Sequence, residues 1–335
     1  MEYRTLGRTG VQVSSLCFGT MSFGGDADEA TAAAMFNRCR EAGINFFDCA
    51  NVYNKGRSEE ILGQLIAEAG CREEVIITSK VSFPMTPDVN GRGASRRHIM
   101  RQVEGSLRRL RTEWIDLYFI HGQDPKTPMD ETLRALDDLV HQGKILYAGV
   151  SNWAAWQIAK SLGISALRNI VRFECIQPMY NLVKRQAEVE ILPLAQSEQL
   201  GVITYSPLGG GLLSGKYGVE RRPEAGRLTT NKMYQARYGD PVNYEVAERL
   251  TAYAAAHGHH PATLAVAWVM SHPAVTAPII GARNLEQLEP SLKAAELVMT
   301  PELRAEISAL SPEPPPATDR SEEKQGFTYR GALAR

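Results

Sequence analysis

Val75-Ile76-Ile77-Thr78-Ser79-Lys80-Val81 is a short run rich in β-branched residues, and Trp114-Ile115-Asp116-Leu117-Tyr118-Phe119-Ile120 is a second, apolar and aromatic one. Between them a helix starting near Ser95 carries Ile99, Val103, Leu107 and Leu110 as a single apolar stripe. Strands that are apolar at successive positions are buried on both faces, as parallel strands are. Two parallel strands need a crossover, and the striped helix supplies it. The segment therefore reads as one β-α-β unit. Its first strand ends at Lys80 and its second at His121.

The same alternation extends in both directions. Upstream, Leu16-Cys17-Phe18-Gly19-Thr20-Met21 precedes a helix from about Asp28 to Ala42 that Gly43 stops, and Asn45-Phe46-Phe47-Asp48 precedes a helix starting near Ser58. Downstream, a helix from about Met129 to His141 ends at Gly143. Ile145-Leu146-Tyr147-Ala148-Gly149-Val150 follows, with a helix after Asn152. Arg172-Phe173-Glu174-Cys175-Ile176 leads to a helix through Ala187–Ile191. Val202-Ile203-Thr204-Tyr205 is the seventh run, and Thr276-Ala277-Pro278-Ile279-Ile280 is the eighth, with a helix through Leu285–Leu288. Eight such units, roughly 30–40 residues each, predict an α/β fold of the (β/α)8 TIM barrel type, with an open doubly wound sheet as the alternative. Residues 1–310 are expected to form this single barrel and residues 311–335 a Pro-rich tail. Long loops, Ser82–Ala94 and Gly209–Pro241, are expected on the C-terminal face.

Composition excludes several classes. The chain has 335 residues, 44% of them hydrophobic, and a formal net charge of −1, with a pI near 6.7. There is no basic excess for a phosphate backbone, so no nucleic-acid partner is expected. No apolar run approaches the roughly 18 residues of a membrane span, and Met1–Gly7 has no apolar leader core, so a cytoplasmic location is expected. The five cysteines (Cys17, Cys39, Cys49, Cys71 and Cys175) form no CxxC pair and read as small buried apolar residues. His257-Gly258-His259-His260 lacks a nearby carboxylate and reads as solvated loop histidines, so no metal site is expected.

In a barrel the chemistry sits at the C-terminal strand ends. Taken in order, those ends are Asp48, Lys80, His121, Ser151-Asn152, Gln177, Tyr205 and Gly281–Arg283, with Tyr53 just past the second strand. Each has an ordinary structural explanation alone, but polar side chains on successive strand ends exceed what packing needs. Tyr53 beside a buried Lys80 ammonium is a candidate general acid, its pKa expected to be lowered by that charge, with Asp48 keeping Lys80 charged. His121 is placed to orient a substrate oxygen. The set suits polarising a carbonyl. No side chain can deliver hydride, so a nicotinamide cofactor is implied.

These segments, collinear over about residues 3–310, resemble an aldo-keto reductase. Asn45–Asp48 with Val52-Tyr53, Ser79-Lys80, Ile120-His121, Gly149-Val150-Ser151-Asn152, Tyr205-Ser206-Pro207-Leu208 and Gly281-Ala282-Arg283 carry the likeness. Gly19-Thr20-Met21-Ser22-Phe23-Gly24 and Gly215-Lys216-Tyr217 are similar to the branch of bacterial reductases and potassium-channel β-subunits. The resemblance implies Tyr53 as acid, Lys80 and Asp48 as its tuning pair, and His121 as substrate orienter. It implies NADPH (NADP+) held by Gly19, Thr20, Met21, Asp48, Ser151, Asn152, Gln177, Tyr205, Ser206, Pro207, Leu208, Gly209, Lys216, Gly281, Arg283 and Gln287. Lys216 and Arg283 would favour the 2′-phosphate. Two places depart from the family pattern: Gly122-Gln123-Asp124-Pro125 after the histidine, and Glu289-Pro290-Ser291 near the expected adenine.

Gly210–Tyr217 nearly matches a phosphate loop, but Tyr217 stands where the Mg²⁺-binding hydroxyl belongs, and an NTPase is disfavoured. The reading is an NADPH-dependent reductase of a small aldehyde or ketone. The alternative is an NADPH-binding regulatory or scaffold subunit with slow turnover. A homo-oligomer stays open. The substrate wall is expected from Met21, Phe23, Phe83, Trp153, the 209–241 segment and the tail around Phe327 and Tyr329. Arg92, Arg96, Arg97, Arg221, Arg222 and Arg227 are candidate contacts to an anionic substrate, although a solvated face is the commoner role.

Overall fold

The computed structural model describes residues 1–320. Two three-residue strands, β1 (Tyr3–Thr5) and β2 (Gln12–Ser14), make an antiparallel hairpin. The barrel strands follow: β3 (Cys17–Gly19), β4 (Phe46–Asp48), β5 (Ile76–Val81), β6 (Ile115–Ile120), β7 (Ile145–Ser151), β8 (Phe173–Gln177), β9 (Gly201–Thr204) and β10 (Ala277–Ile280). All eight pair in parallel and in chain order, and β10 closes on β3, so the barrel is sealed and the open doubly wound sheet is ruled out. The register brings Gly19 level with Asp48, Asp48 with Thr78, and Ser151 with Gln177, placing their chemistry on one rim.

Two-sided burial has two destinations. Inward residues such as Cys17, Phe46, Leu117, Phe119, Cys175, Ile203 and Ala277 fill the barrel interior. Their neighbours Phe18, Phe47, Ile77, Tyr118 and Ile120 face the helix shell. Leu6 and Val13 of the hairpin join the inner cluster and plug the floor. Gly7 sits there at φ +54, where an added Cβ would lie 2.5 Å from the Gly201 amide nitrogen. The hairpin is absent from the sequence reading because three-residue strands carry almost no periodicity.

Most helices begin and stop where their caps predict. Asp28 accepts from the Thr31 amide and starts Glu29–Glu41, and Ser95 likewise starts Arg96–Leu110. Met129–His141 forms as expected. The helix expected through Ala187–Ile191 forms instead at Ile191–Ser197, behind a one-turn coil at Gln186–Glu188. Pro193 is the cause: it is tolerated in a first turn and fixes the start there. The unit between β9 and β10 is far longer than the expected repeat. It holds the short helices Arg227–Thr230 and Lys232–Tyr238, then Pro241–Ala256 and Pro261–Met270, the last two with Pro at N1 and capped by Asp240 and His260.

Candidate active site

Lys80 points inward from β5 and is fully buried. Its ammonium donates to Asp48 Oδ2 at 2.6 Å, to the Cys49 carbonyl at 2.7 Å and to the Tyr53 hydroxyl at 3.3 Å. The other oxygen of Asp48 accepts from Thr78 Oγ1 at 2.6 Å and Gln177 Nε2 at 2.9 Å. A buried charge needs this saturation of partners to be tolerable. Burial opposes the ammonium, but Asp48 and Tyr53 outweigh it and hold Lys80 above the ordinary lysine range.

Tyr53 lies in the one-turn coil Tyr53–Gly56, where Asn54 and Lys55 take left-handed angles. The Asn54 amide donates to the carbonyls of Met21 at 3.0 Å and Phe23 at 2.7 Å, tying this turn to the loop after β3. Burial pushes the Tyr53 hydroxyl up to about 12, and Lys80 offsets only part of that rise. This corrects the expectation of a lowered value: the charge acts in the predicted direction, but desolvation is the larger effect.

His121 ends β6, buried, its ring centre 5.9 Å from that of Tyr53 and 4.5 Å from Phe83. Burial, reinforced by Lys80, drives its pKa well below the usual histidine range. Nδ1 is enclosed without a partner, so Nε2 is the nitrogen left to meet a ligand. The Phe83 ring lies over Gly122, where a Cβ would meet it at 3.4 Å, in ordinary contact. Asp124 accepts from the Ala94 amide at 2.8 Å and from Thr127 Oγ1 at 2.7 Å, pinning the 82–94 loop against the strand end.

These groups line one end of a cavity of about 650 Å³. On the adjoining wall Ser151 donates to the Gln177 carbonyl at 3.0 Å. Asn152, at φ +62, donates to the His121 carbonyl at 2.9 Å and accepts from the Tyr205 hydroxyl at 2.7 Å. Asn152 is thus a brace between His121 and Tyr205, with both ends of its amide engaged. The Gln177 side chain uses its amide nitrogen on Asp48, and its side-chain oxygen Oε1, unlike the backbone carbonyl held by Ser151, has no partner among the described residues. Beyond Tyr205 the chain turns through Gly209–Ser214, with Gly210 at φ +69 and Gly211 at φ +103. Gly211 faces open space, and the turn runs on without starting a helix at Lys216, unlike a phosphate loop. At the far end Arg283 bonds Asp26 at 3.1 Å, and its amide nitrogen donates to Gln287 Oε1 at 3.4 Å. Glu289, expected near the adenine, pairs with Arg38 at 2.6 Å.

Of the expected residues, Tyr53, Asp48, His121, Gly19, Met21, Ser151, Asn152, Gln177, Tyr205, Ser206, Pro207, Leu208, Lys216, Gly281, Arg283 and Gln287 line this cavity. Lys80 lies behind them, in contact with Tyr53. Thr20 and Gly209 are not on its lining, and Thr20 spends its hydroxyl on the Asp48 carbonyl at 3.1 Å and on Ser58. Phe23 and Trp153 are not wall residues either. Phe23 packs on Phe18 at 5.8 Å, and Trp153 packs on Phe173 at 5.5 Å. Phe327 and Tyr329 lie outside the described residues. Of the six loop arginines, Arg227 lines the cavity, whereas Arg222 stacks 3.6 Å over Tyr244. The expected 209–241 segment does line the cavity, through Met233, Tyr234 and Arg237 among others, although the sequence reading did not single these three out. That reading also missed His260, whose ring faces the cavity while Nδ1 caps the following helix at 3.1 Å. His260 stands directly before Pro at N1, a capping position, and that was the available signal. All five cysteines are free and buried. Among the described residues no group of His, Cys, Asp and Glu is arranged to hold a metal ion, and no helix is long and apolar enough to cross a membrane.

The pattern of the Aldo/keto reductase family matches residues 15–312. An "Uncharacterized oxidoreductase YrpG" of Bacillus subtilis (strain 168) is 39% identical over 328 residues, covering 94% of this chain and 97% of its own. A "Probable voltage-gated potassium channel subunit beta" of Oryza sativa subsp. japonica is 35% identical, over 95% of this chain and 99% of its own. One of the same description from Arabidopsis thaliana is 36% identical, over 89% and 92%.

Proposed function

The chain belongs to the aldo/keto reductase family, and on that premise we propose that it reduces a small aldehyde or ketone to the alcohol using NADPH, with Tyr53 as general acid. The observation that carries this reading is the buried Lys80–Asp48 pair, its ammonium 3.3 Å from the Tyr53 hydroxyl, beside His121 on a cavity wall.

The residues present fit a nicotinamide dinucleotide. The unpartnered Gln177 Oε1 suits a carboxamide, the open backbone at Gly211 suits a pyrophosphate, and Lys216 with Arg283 suits a 2′-phosphate. When bound, NADPH supplies the hydride that no side chain can. Tyr53 holds a proton that burial retains at neutral pH, and passes it to the substrate oxygen as that oxygen gains charge. Lys80 stabilises the phenolate left behind, and Asp48 keeps Lys80 charged. Neutral His121 donates from Nε2 to the same oxygen and fixes its direction. The buried thiols and the lack of a membrane-crossing helix among the described residues support a cytoplasmic setting.

The test is Tyr53→Phe. Carbonyl reduction should fall by at least about 100-fold, with NADPH affinity retained. Reduction at the wild-type rate overturns the assignment. The channel-subunit descriptions of two relatives favour a second reading, an NADPH-binding regulatory subunit with slow turnover. Tight NADPH binding without turnover across an aldehyde and ketone panel would select it.

A further inference from the structure

Two guanidinium groups on the cavity wall are unused by the reaction as described. Arg227 and Arg237 hold their guanidinium carbons 5.5 and 5.6 Å from the centre of the Tyr234 ring. That ring is buried and rests on Gly210, whose Cβ would lie 2.6 Å from it, so the platform is fixed. Neither arginine pairs with a carboxylate among the described residues, whereas Arg283 is held by Asp26. A guanidinium confined near an aromatic face and lacking a counter-ion is a ready site for an anion.

Both arginines flank the one Tyr234 ring and line the same cavity. Arg227 follows the Lys216–Gly226 segment, on the side of the glycine turn. Arg237 lines the same cavity as Tyr205. Tyr205 bonds Asn152 at 2.7 Å, and Asn152 bonds the His121 carbonyl at 2.9 Å. Arg237 therefore shares the cavity with Tyr205, whose partner Asn152 braces His121. Met233, 53% exposed, and Phe83, 42% exposed, offer apolar surface on the same wall. A guanidinium fork matches a carboxylate through two parallel hydrogen bonds.

We propose that Arg237 is a substrate-binding residue, and that the preferred substrate is an aldehyde or ketone carrying a carboxylate, its apolar body lying against Met233 and Phe83. The proposal rests on the reductase reading above. It gives the oxygen-bearing end of the substrate to Tyr53 and His121 and the carboxylate end to Arg237, so the substrate is held at both ends.

The experiment compares 4-formylbenzoate with its neutral methyl ester at saturating NADPH, in the wild type, Arg237→Met and Arg237→Lys. The wild type should favour the acid in kcat/KM. Arg237→Met should cut the acid-to-ester ratio about tenfold or more, chiefly through the KM for the acid. Arg237→Lys should restore part of it, and the Kd for NADPH should not move. Equal losses on both substrates, or an unchanged ratio, overturn the proposal. A weakened NADPH Kd with an unchanged ratio also overturns it and assigns Arg237 to a cofactor phosphate. Ester reduction with no preference for the acid sinks this proposal alone. If the wild type reduces other members of an aldehyde and ketone panel but neither of these two compounds, this proposal alone fails; if it reduces no member of the panel, the reductase reading fails and this proposal fails with it.

Discussion

Tyr53 and His272 show how burial sets what a residue can do. Tyr53 keeps its proton because a phenolate in its position would be poorly solvated, and Lys80 reduces that penalty without cancelling it. In the proposed reaction this gives a donor that is fully protonated at neutral pH yet leaves a supported anion. His272 lies outside the site, in the short turn before β10. Its Nδ1 accepts from the Ala274 amide at 3.1 Å, and its ring stands edge-on to Tyr180 at 5.6 Å. Burial, followed by the charge of Arg304, lowers its pKa to about 4. The unfolded imidazole, near 6.5, takes a proton first. The stability contributed by neutral His272 is therefore complete above about pH 6.5 and is lost as the pH falls from there through about 4. His272→Asn should flatten the fall of the urea midpoint between pH 6.5 and 4. A variant that follows the wild-type slope would show that other groups control acid stability.

At the scale of elements, the helices that carry the site are pinned by buried charge. Glu59, fully buried in the helix Arg57–Ala69, accepts from Ser79 Oγ on β5 at 2.5 Å and from Arg109 Nε of the helix Arg96–Leu110 at 2.7 Å. The Arg109 side chain crosses Gly56, where a Cβ would lie 2.7 Å from it, so the Tyr53 turn, one strand and two helices share a single fastening. Arg109→Met leaves the Glu59 carboxylate buried and unpaired, and should destabilise the fold by about 3–5 kcal/mol. Adding Glu59→Gln should recover part of that. Urea denaturation of the single and double variants measures both, and a cost near zero for Arg109→Met would show that water reaches Glu59. The eight barrel strands were legible because two-sided burial produces largely apolar runs such as Ile145–Val150. Asp48, Lys80 and His121 were legible because a strand end dictates where its side chain points. Arg237 and His260 were not, because they come from a long connection whose path over the mouth is set by packing against Gly210 and Gly215 rather than by any local period. Phe23 and Trp153 were misread for a related reason, since an aromatic near a strand end faces core or cavity according to its turn, which sequence spacing does not reveal.

Across the whole molecule, stability and chemistry occupy opposite ends of one barrel. The hairpin closes the floor with Leu6, Val13 and Gly7, while the cavity opens among the C-terminal strand ends. Gly7→Ala tests the separation. Its positive φ and the 2.5 Å approach of its Cβ to the Gly201 nitrogen should cost about 1–3 kcal/mol in urea unfolding. The KM for any carbonyl substrate should stay as in the wild type, and a changed KM would mean that floor and mouth are coupled. The hairpin has a further use for anyone mounting this protein on a solid support. Tyr3, half exposed on its outer strand, faces away from the mouth. A bead or electrode linked there would hold every molecule with its opening toward the solution, so that reagents arrive without passing the surface.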